Sequence, residues 1–155
     1  MMRETSTTPS PTALPRVTRV AAYAIVEDTD GRLLLCRMRE GQPGAGRWSL
    51  PGGGLEFGEA PEVGGLRELA EETGLEGRVA GILGLTSRTL RVTRPTGEQE
   101  MHALGICYRA VVVGGALRDE QDNSTDRAAW FTREEVAALP LTHLVTSALG
   151  FLAAE

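Results

Sequence analysis

No stretch of this 155-residue sequence is long and apolar enough to cross a membrane, and its opening, MMRETSTTPSPTALP, lacks the apolar run of a secretory signal. Residues 1–15 therefore read as a disordered tail, with neither membrane insertion nor export expected. Basic charge is also scarce. Sixteen Lys and Arg against 21 Asp and Glu give a net charge of −5, which argues against a general nucleic-acid binder, because phosphate backbones are met by a basic face. Cysteine is nearly absent. Cys36 and Cys107 sit in apolar runs without metal-ligand spacing, so the expectation is two reduced, buried thiols in a cytoplasmic protein. No internal repeat is found, and residues 16–155 suffice for one domain with a proper core.

What the chain does have is concentrated between Gly53 and Leu75, GGLEFGEAPEVGGLRELAEETGL. Pro61 suits a first helical turn and Gly74 a left-handed C-cap, so the predicted helix runs from about 61 to 73. At about 100° per residue, Glu68, Glu71 and Glu72 fall within roughly one quadrant of its surface. Their mutual repulsion makes most sense around a hard divalent cation, Mg²⁺ first and Mn²⁺ second. Val63, Leu66, Ala70 and Thr73 follow the i, i+3, i+4 pattern on the other side and are the expected packing stripe. Ala60 is a poor N-cap, and Gly64 and Gly65 weaken the helix by about 1 kcal/mol each relative to alanine. Both glycines fall near the carboxylate face, where the expectation is that they leave room for a bulky substrate group.

Gly53, Glu59, Arg67, Glu68, Leu69, Glu71, Glu72, Gly74 and Leu75 match every position of the pattern G(x)5E(x)7REUxEExGU, with U aliphatic. The chain resembles the Nudix hydrolases. Ordinary residue usage would produce such a match with odds on the order of 10⁻⁷, so the resemblance is specific. Trp48 to Gly52 and Asp126 to Thr132 also look like the family's usual surroundings.

The resemblance implies an α/β fold, the Nudix α/β/α sandwich with a mixed β-sheet. It also implies Mg²⁺-dependent hydrolysis of a pyrophosphate in a nucleoside diphosphate linked to another moiety. On this reading the catalytic set is Glu68, Glu71 and Glu72 with Arg67, which braces the loop by pairing with Glu59. The metal set is Gly53, through its carbonyl, with Glu59, Glu68, Glu71 and Glu72. The general base is expected to be Glu71 or Glu72, with Glu98, Glu100 and Glu120 as loop alternatives. Arg37 and Arg39, at the end of the second strand, are the candidate substrate-binding residues. The small-molecule substrate is expected to be a nucleotide, and a homodimer is allowed.

Outside the box, Val17 to Glu27 and Arg32 to Met38 flank an Asp-Gly turn and should form a hairpin. A second hairpin is expected over about 78 to 92 and 100 to 113. Ala128 to Phe131 reads as a short strand. Thr132 and Glu135 form a capping box for a helix ending near Pro140, and a last helix from about Thr142 to Ala153 would pack Leu144, Val145, Ala148, Leu149 and Leu152. Trp48 and His102 are expected to be structural.

The proline that marks ADP-ribose-cleaving relatives about sixteen residues after the box is missing, and no coenzyme A signature precedes it. A nucleoside triphosphate is thus the first substrate candidate. The alternative is a catalytically silent Nudix-fold nucleotide-binding or sensor module, but such domains commonly lose box carboxylates and here none is lost. A purely structural Ca²⁺ site is disfavoured by the glycine loop and Arg67.

Overall fold

Two apolar runs near the start of the chain become central strands. A computed structural model describes residues 13–155; the tail expected over residues 1–15 lies largely outside them. The elements are β1 (Arg16–Val26), β2 (Leu33–Met38), β3 (Trp48–Ser49), β4 (Gly52–Gly54), α1 (Pro61–Thr73), β5 (Leu75–Arg94), β6 (Gly97–Gly115), β7 (Thr125–Phe131), α2 (Arg133–Ala137) and α3 (His143–Ala153). One sheet has the order β4-β1-β6-β5 and is mixed, since β1 runs parallel to β6 and the other pairs are antiparallel. The second, β3-β2-β7, is antiparallel.

The first expected hairpin is corrected. Its turn forms, with Asp28 Oδ1 accepting from the backbone N–H groups of Asp30 and Arg32 at 3.0 and 2.8 Å. After a single bridge between Glu27 and Leu33, however, the two strands part into different sheets. Ala24 to Val26 and Leu33 to Cys36 are almost completely buried. A strand covered on both faces reads as an unbroken apolar run, which carries no information about its neighbour. The second hairpin is longer than its apolar pattern, closing at Arg94 opposite Gly97.

Two cores hold the layers together. Ile25, Leu33, Leu35, Trp48 and Cys107 pack with Val136 of α2 and with Leu144, Val145 and Ala148 of α3, while Val26, Leu34 and Ala110 pack against Leu69 of α1. The capping box of α2 is complete, with Thr132 Oγ1 accepting from Glu135 N at 3.1 Å and Glu135 Oε1 from Thr132 N at 3.0 Å. Both cysteines are free and buried, and burial pushes the Cys107 thiol up to about 11.

Candidate active site

Helix α1 begins at Pro61 and ends at Gly74, whose φ of 75° is left-handed and whose N–H donates to the Ala70 carbonyl. Ala60 supplies no side-chain cap. The packing stripe is turned from the expected one: Gly64, Gly65, Leu69, Glu72 and Thr73 are buried, while Val63 is 59 % exposed. The reason is the sheet beneath. A Cβ on Gly65 would stand 3.4 Å from Ala22 Cβ, so this glycine lies flat against β1. On Gly64 it would meet Leu55 Cδ2 at 2.5 Å and Glu59 Oε1 at 2.7 Å. The glycine pair therefore admits the protein's own strand and loop, not a substrate group.

Arg67 is the hub of the acidic face. Its Nε and Nη2 donate to Glu59 at 2.7 and 2.9 Å, in the two-point geometry a planar guanidinium favours, and Nη1 donates to Glu68 at 3.2 Å and Glu71 at 3.3 Å. Hydrogen bonding to Arg67 holds the Glu59 carboxyl down at about 2. Glu72 goes the other way. It is 1 % exposed and accepts from the backbone N–H of Gly52 at 2.9 Å through Oε2. Burial lifts its pKa well above the usual carboxylate range, against that hydrogen bond and with help from the Glu68, Glu120 and Glu71 charges. Burial also raises Glu68, despite Arg67.

The three carboxylates do not meet at a single point. Among the described residues no three of His, Cys, Asp and Glu are gathered tightly enough to enclose an ion on their own. The arginine draws Glu68 and Glu71 toward itself, while Gly52 fixes Glu72. The donor set still suits a hard cation, because it is all oxygen and because β4 has no side chains to intervene. A Cβ on Gly53 would stand 2.8 Å from Glu68 Oε1, so only glycine lets this backbone come so close to the helix acid.

Of the three loop acids, Glu120 is the one brought to the box. It is buried, its charge acts on Glu68 and Glu72, and it lines a cleft of about 440 Å³ with Glu71, Arg118 and Asp119. Thr125 holds its Oε1 from the backbone N–H and the hydroxyl, each at 3.1 Å. Glu98 and Glu100 instead pair with Arg91 and Arg16 on the long hairpin. Arg37 is engaged by Asp126 at 2.8 Å and lies 5.9 Å over the Trp48 ring. Arg39 reaches the Thr125 carbonyl at 3.3 Å, and its Nε is buried without a partner. Trp48 packs edge-on to Phe131 at 4.7 Å, and His102 Nε2 lies 2.8 Å from Ser87 Oγ. Sequence reading missed Arg118, whose guanidinium caps the last carbonyls of α1 at Ala70 and Glu71, each at 3.2 Å. A cation three residues past a strand's end carries no motif, only its fit to a helix C-terminus.

Comparisons with known proteins bear on the family and the fold. The family model for the NUDIX domain matches residues 17–149. A MutT-like protein from Streptomyces ambofaciens is 31% identical over 129 residues, 83% of this chain and 73% of that protein. An ADP-ribose pyrophosphatase from Methanocaldococcus jannaschii is 33% identical over 124 residues, 80% and 68% of the two chains. Among solved structures, a MutT NUDIX hydrolase from Burkholderia pseudomallei matches with a TM-score of 0.71 at 29% identity, covering 86% of this chain and 97% of the other.

Proposed function

This chain belongs to the NUDIX hydrolase family, and from that premise we propose that it hydrolyses a pyrophosphate bond in a nucleoside diphosphate linked to another moiety, with a nucleoside triphosphate as the first candidate. The observation that carries the reading is the intact acidic face of α1, all of its box carboxylates present, with Glu59, Glu68 and Glu71 held by one arginine and Glu72 by the backbone of a glycine strand.

Glu68, Glu71, Glu72 and the Gly53 carbonyl would hold Mg²⁺, with Mn²⁺ able to replace it and Glu59 close behind. Bound there, the cation supplies the positive charge that phosphate oxygens need as water attacks phosphorus. The protein's own contribution is position. Arg67 locks Glu59 to the helix, so the loop from Glu56 to Glu59 and the acids of α1 form one rigid edge. Glu71 is the base of first choice, because its carboxylate is 44 % exposed and meets water beside its 3.3 Å contact with Arg67, whereas Glu72 is buried with one oxygen taken by Gly52. Glu120 is the alternative, aimed at the same cleft from the loop before β7. Arg37 and Arg39 would have to exchange Asp126 and the loop carbonyls for phosphate to serve as substrate contacts. No helix among the described residues is long and apolar enough to cross a membrane, in keeping with the cytoplasmic location we propose.

The test is a screen of purified protein with Mg²⁺ or Mn²⁺ against nucleoside triphosphates, dinucleoside polyphosphates, nucleotide sugars and ADP-ribose. Turnover is expected to depend on the metal and to collapse in Glu71→Gln and Glu72→Gln. Activity surviving both substitutions would sink the mechanism, and tight binding without turnover would make the domain a sensor.

A further inference from the structure

Glu120 brings a buried carboxylate to the box without bringing a cation. Its Oε1 accepts from the N–H and hydroxyl of Thr125 and its Oε2 from Asn123 Nδ2 at 3.3 Å, all of them neutral donors within the same loop. Its charge is felt by Glu68 and Glu72, so repulsion pushes this loop away from α1. The loop is strained as well. It spans residues 116–124 between β6 and β7, and Asp122 at its tip has a left-handed φ of 59°.

Two arginines hold it, one at each end. Arg118 ties the start to α1, its backbone N–H donating to the Thr73 carbonyl at 2.8 Å beside the guanidinium contacts to Ala70 and Glu71. Arg39 ties the end. Its N–H donates to the Ser124 carbonyl at 3.0 Å, and its Nη2 donates to the carbonyls of Thr125 at 3.3 Å and Glu120 at 3.5 Å. One nitrogen thus closes the neck of the loop on both sides of the turn. Among the described residues no other side chain from outside the loop hydrogen-bonds to residues 120–125. The Arg39 side chain is only 31 % exposed and its Nε is buried without a partner. A head turned inward in this way reaches a phosphate only by letting the loop go.

We propose that Arg39 is a positioning residue, a clasp that keeps the Glu120 carboxylate beside Glu68 and Glu72, where it adds negative charge for the divalent cation, and that it makes no contact with substrate phosphate. The clasp rests on the reading of α1 as the metal face of a pyrophosphate hydrolase. Its signature is coupling. A residue that acts wholly through Glu120 has nothing left to do once the Glu120 charge is gone, whereas a phosphate contact is independent of that charge.

Mn²⁺ binding by calorimetry and steady-state kinetics on a nucleoside triphosphate are measured for Arg39→Ala, Arg39→Lys, Glu120→Gln and the double variant Arg39→Ala, Glu120→Gln. Removing or displacing one carboxylate charge predicts Mn²⁺ affinity weakened about tenfold in Arg39→Ala and in Glu120→Gln. The double variant is expected to lose no more than the single ones, KM to change little, and lysine to restore part of the affinity. Additive losses, a raised KM with unchanged Mn²⁺ affinity, or no effect overturn the clasp. Should Arg39→Ala not fold, Arg39→Gln, too short to span both carbonyls, replaces it and is read in the same way. If the parent protein binds no Mn²⁺, the metal reading fails on its own, and hydrogen exchange decides the clasp: faster exchange of the amides from Gln121 to Ser124 in the Arg39 variant supports it, and unchanged protection overturns it.

Discussion

Arg67 shows how much one side chain can organise. It makes a two-point contact with Glu59 while its third nitrogen serves Glu68 and Glu71, and a lysine has neither the fork nor the reach to do both. Arg67→Lys is therefore expected to lower kcat by more than about tenfold, at a cost of roughly 1–3 kcal/mol in stability, readable by steady-state kinetics and urea unfolding. His143 offers a pH test. Burial, then the Arg88 charge, lowers its pKa below the usual 6.5. Folding thus favours the neutral ring, so its contribution is complete above 6.5 and is lost as pH falls through the lower folded value. Melting temperature should drop over that interval, and the drop should shrink in His143→Gln; an identical pH profile would refute the assignment. The box residues were legible because their roles are fixed by spacing on one helix. The roles of Gly52 and Arg118 were not, because their partners lie 20 and 48 positions away, and Glu120 could be named only as one of three loop acids.

At the scale of elements, the two glycines of α1 separate into different jobs. Gly65 has just enough room for a methyl against Ala22, and Gly64 has none beside Leu55 and Glu59. Gly65→Ala is expected to stabilise the protein by up to about 1 kcal/mol through helix propensity, leaving kinetics unchanged. Gly64→Ala should displace the Glu59 carboxylate and lower kcat even where thermal stability holds. The limits of α1, the capping box of α2 and the buried positions of α3 could all be read from local signals. The packing stripe of α1 could not. Its orientation is set by which strand lies under Gly65 and Leu69, and a helix pattern containing two glycines and a buried glutamate points ambiguously.

For the whole molecule, the acids of α1 form an edge whose charge is answered only in part by Arg67, so a bound divalent cation should favour the folded state. At a hundred times its dissociation constant, Mg²⁺ would add about 2.7 kcal/mol. The melting temperature should rise with Mg²⁺ in the parent chain and stay flat in a Glu68→Gln, Glu72→Gln double variant, and a matching rise in both would exclude the box as the binding site. The fold class followed from the box and the order of elements, while the division into two sheets did not, because β1 and β2 are apolar on both faces and neither pattern names a partner.

The parallel pairing of β1 with β6 has a consequence for how the chain is made. Arg16 meets Glu100, 84 positions further along the chain, so β1 is made long before the strand it lies beside. Until β6 emerges, the apolar segment from Ala21 to Val26 has no native strand to lie beside except the three glycines of β4. Long-range closure of this kind slows folding and leaves an early segment open to wrong contacts, so substitutions in β6 should be felt first in the yield of folded protein rather than in the chemistry of the site.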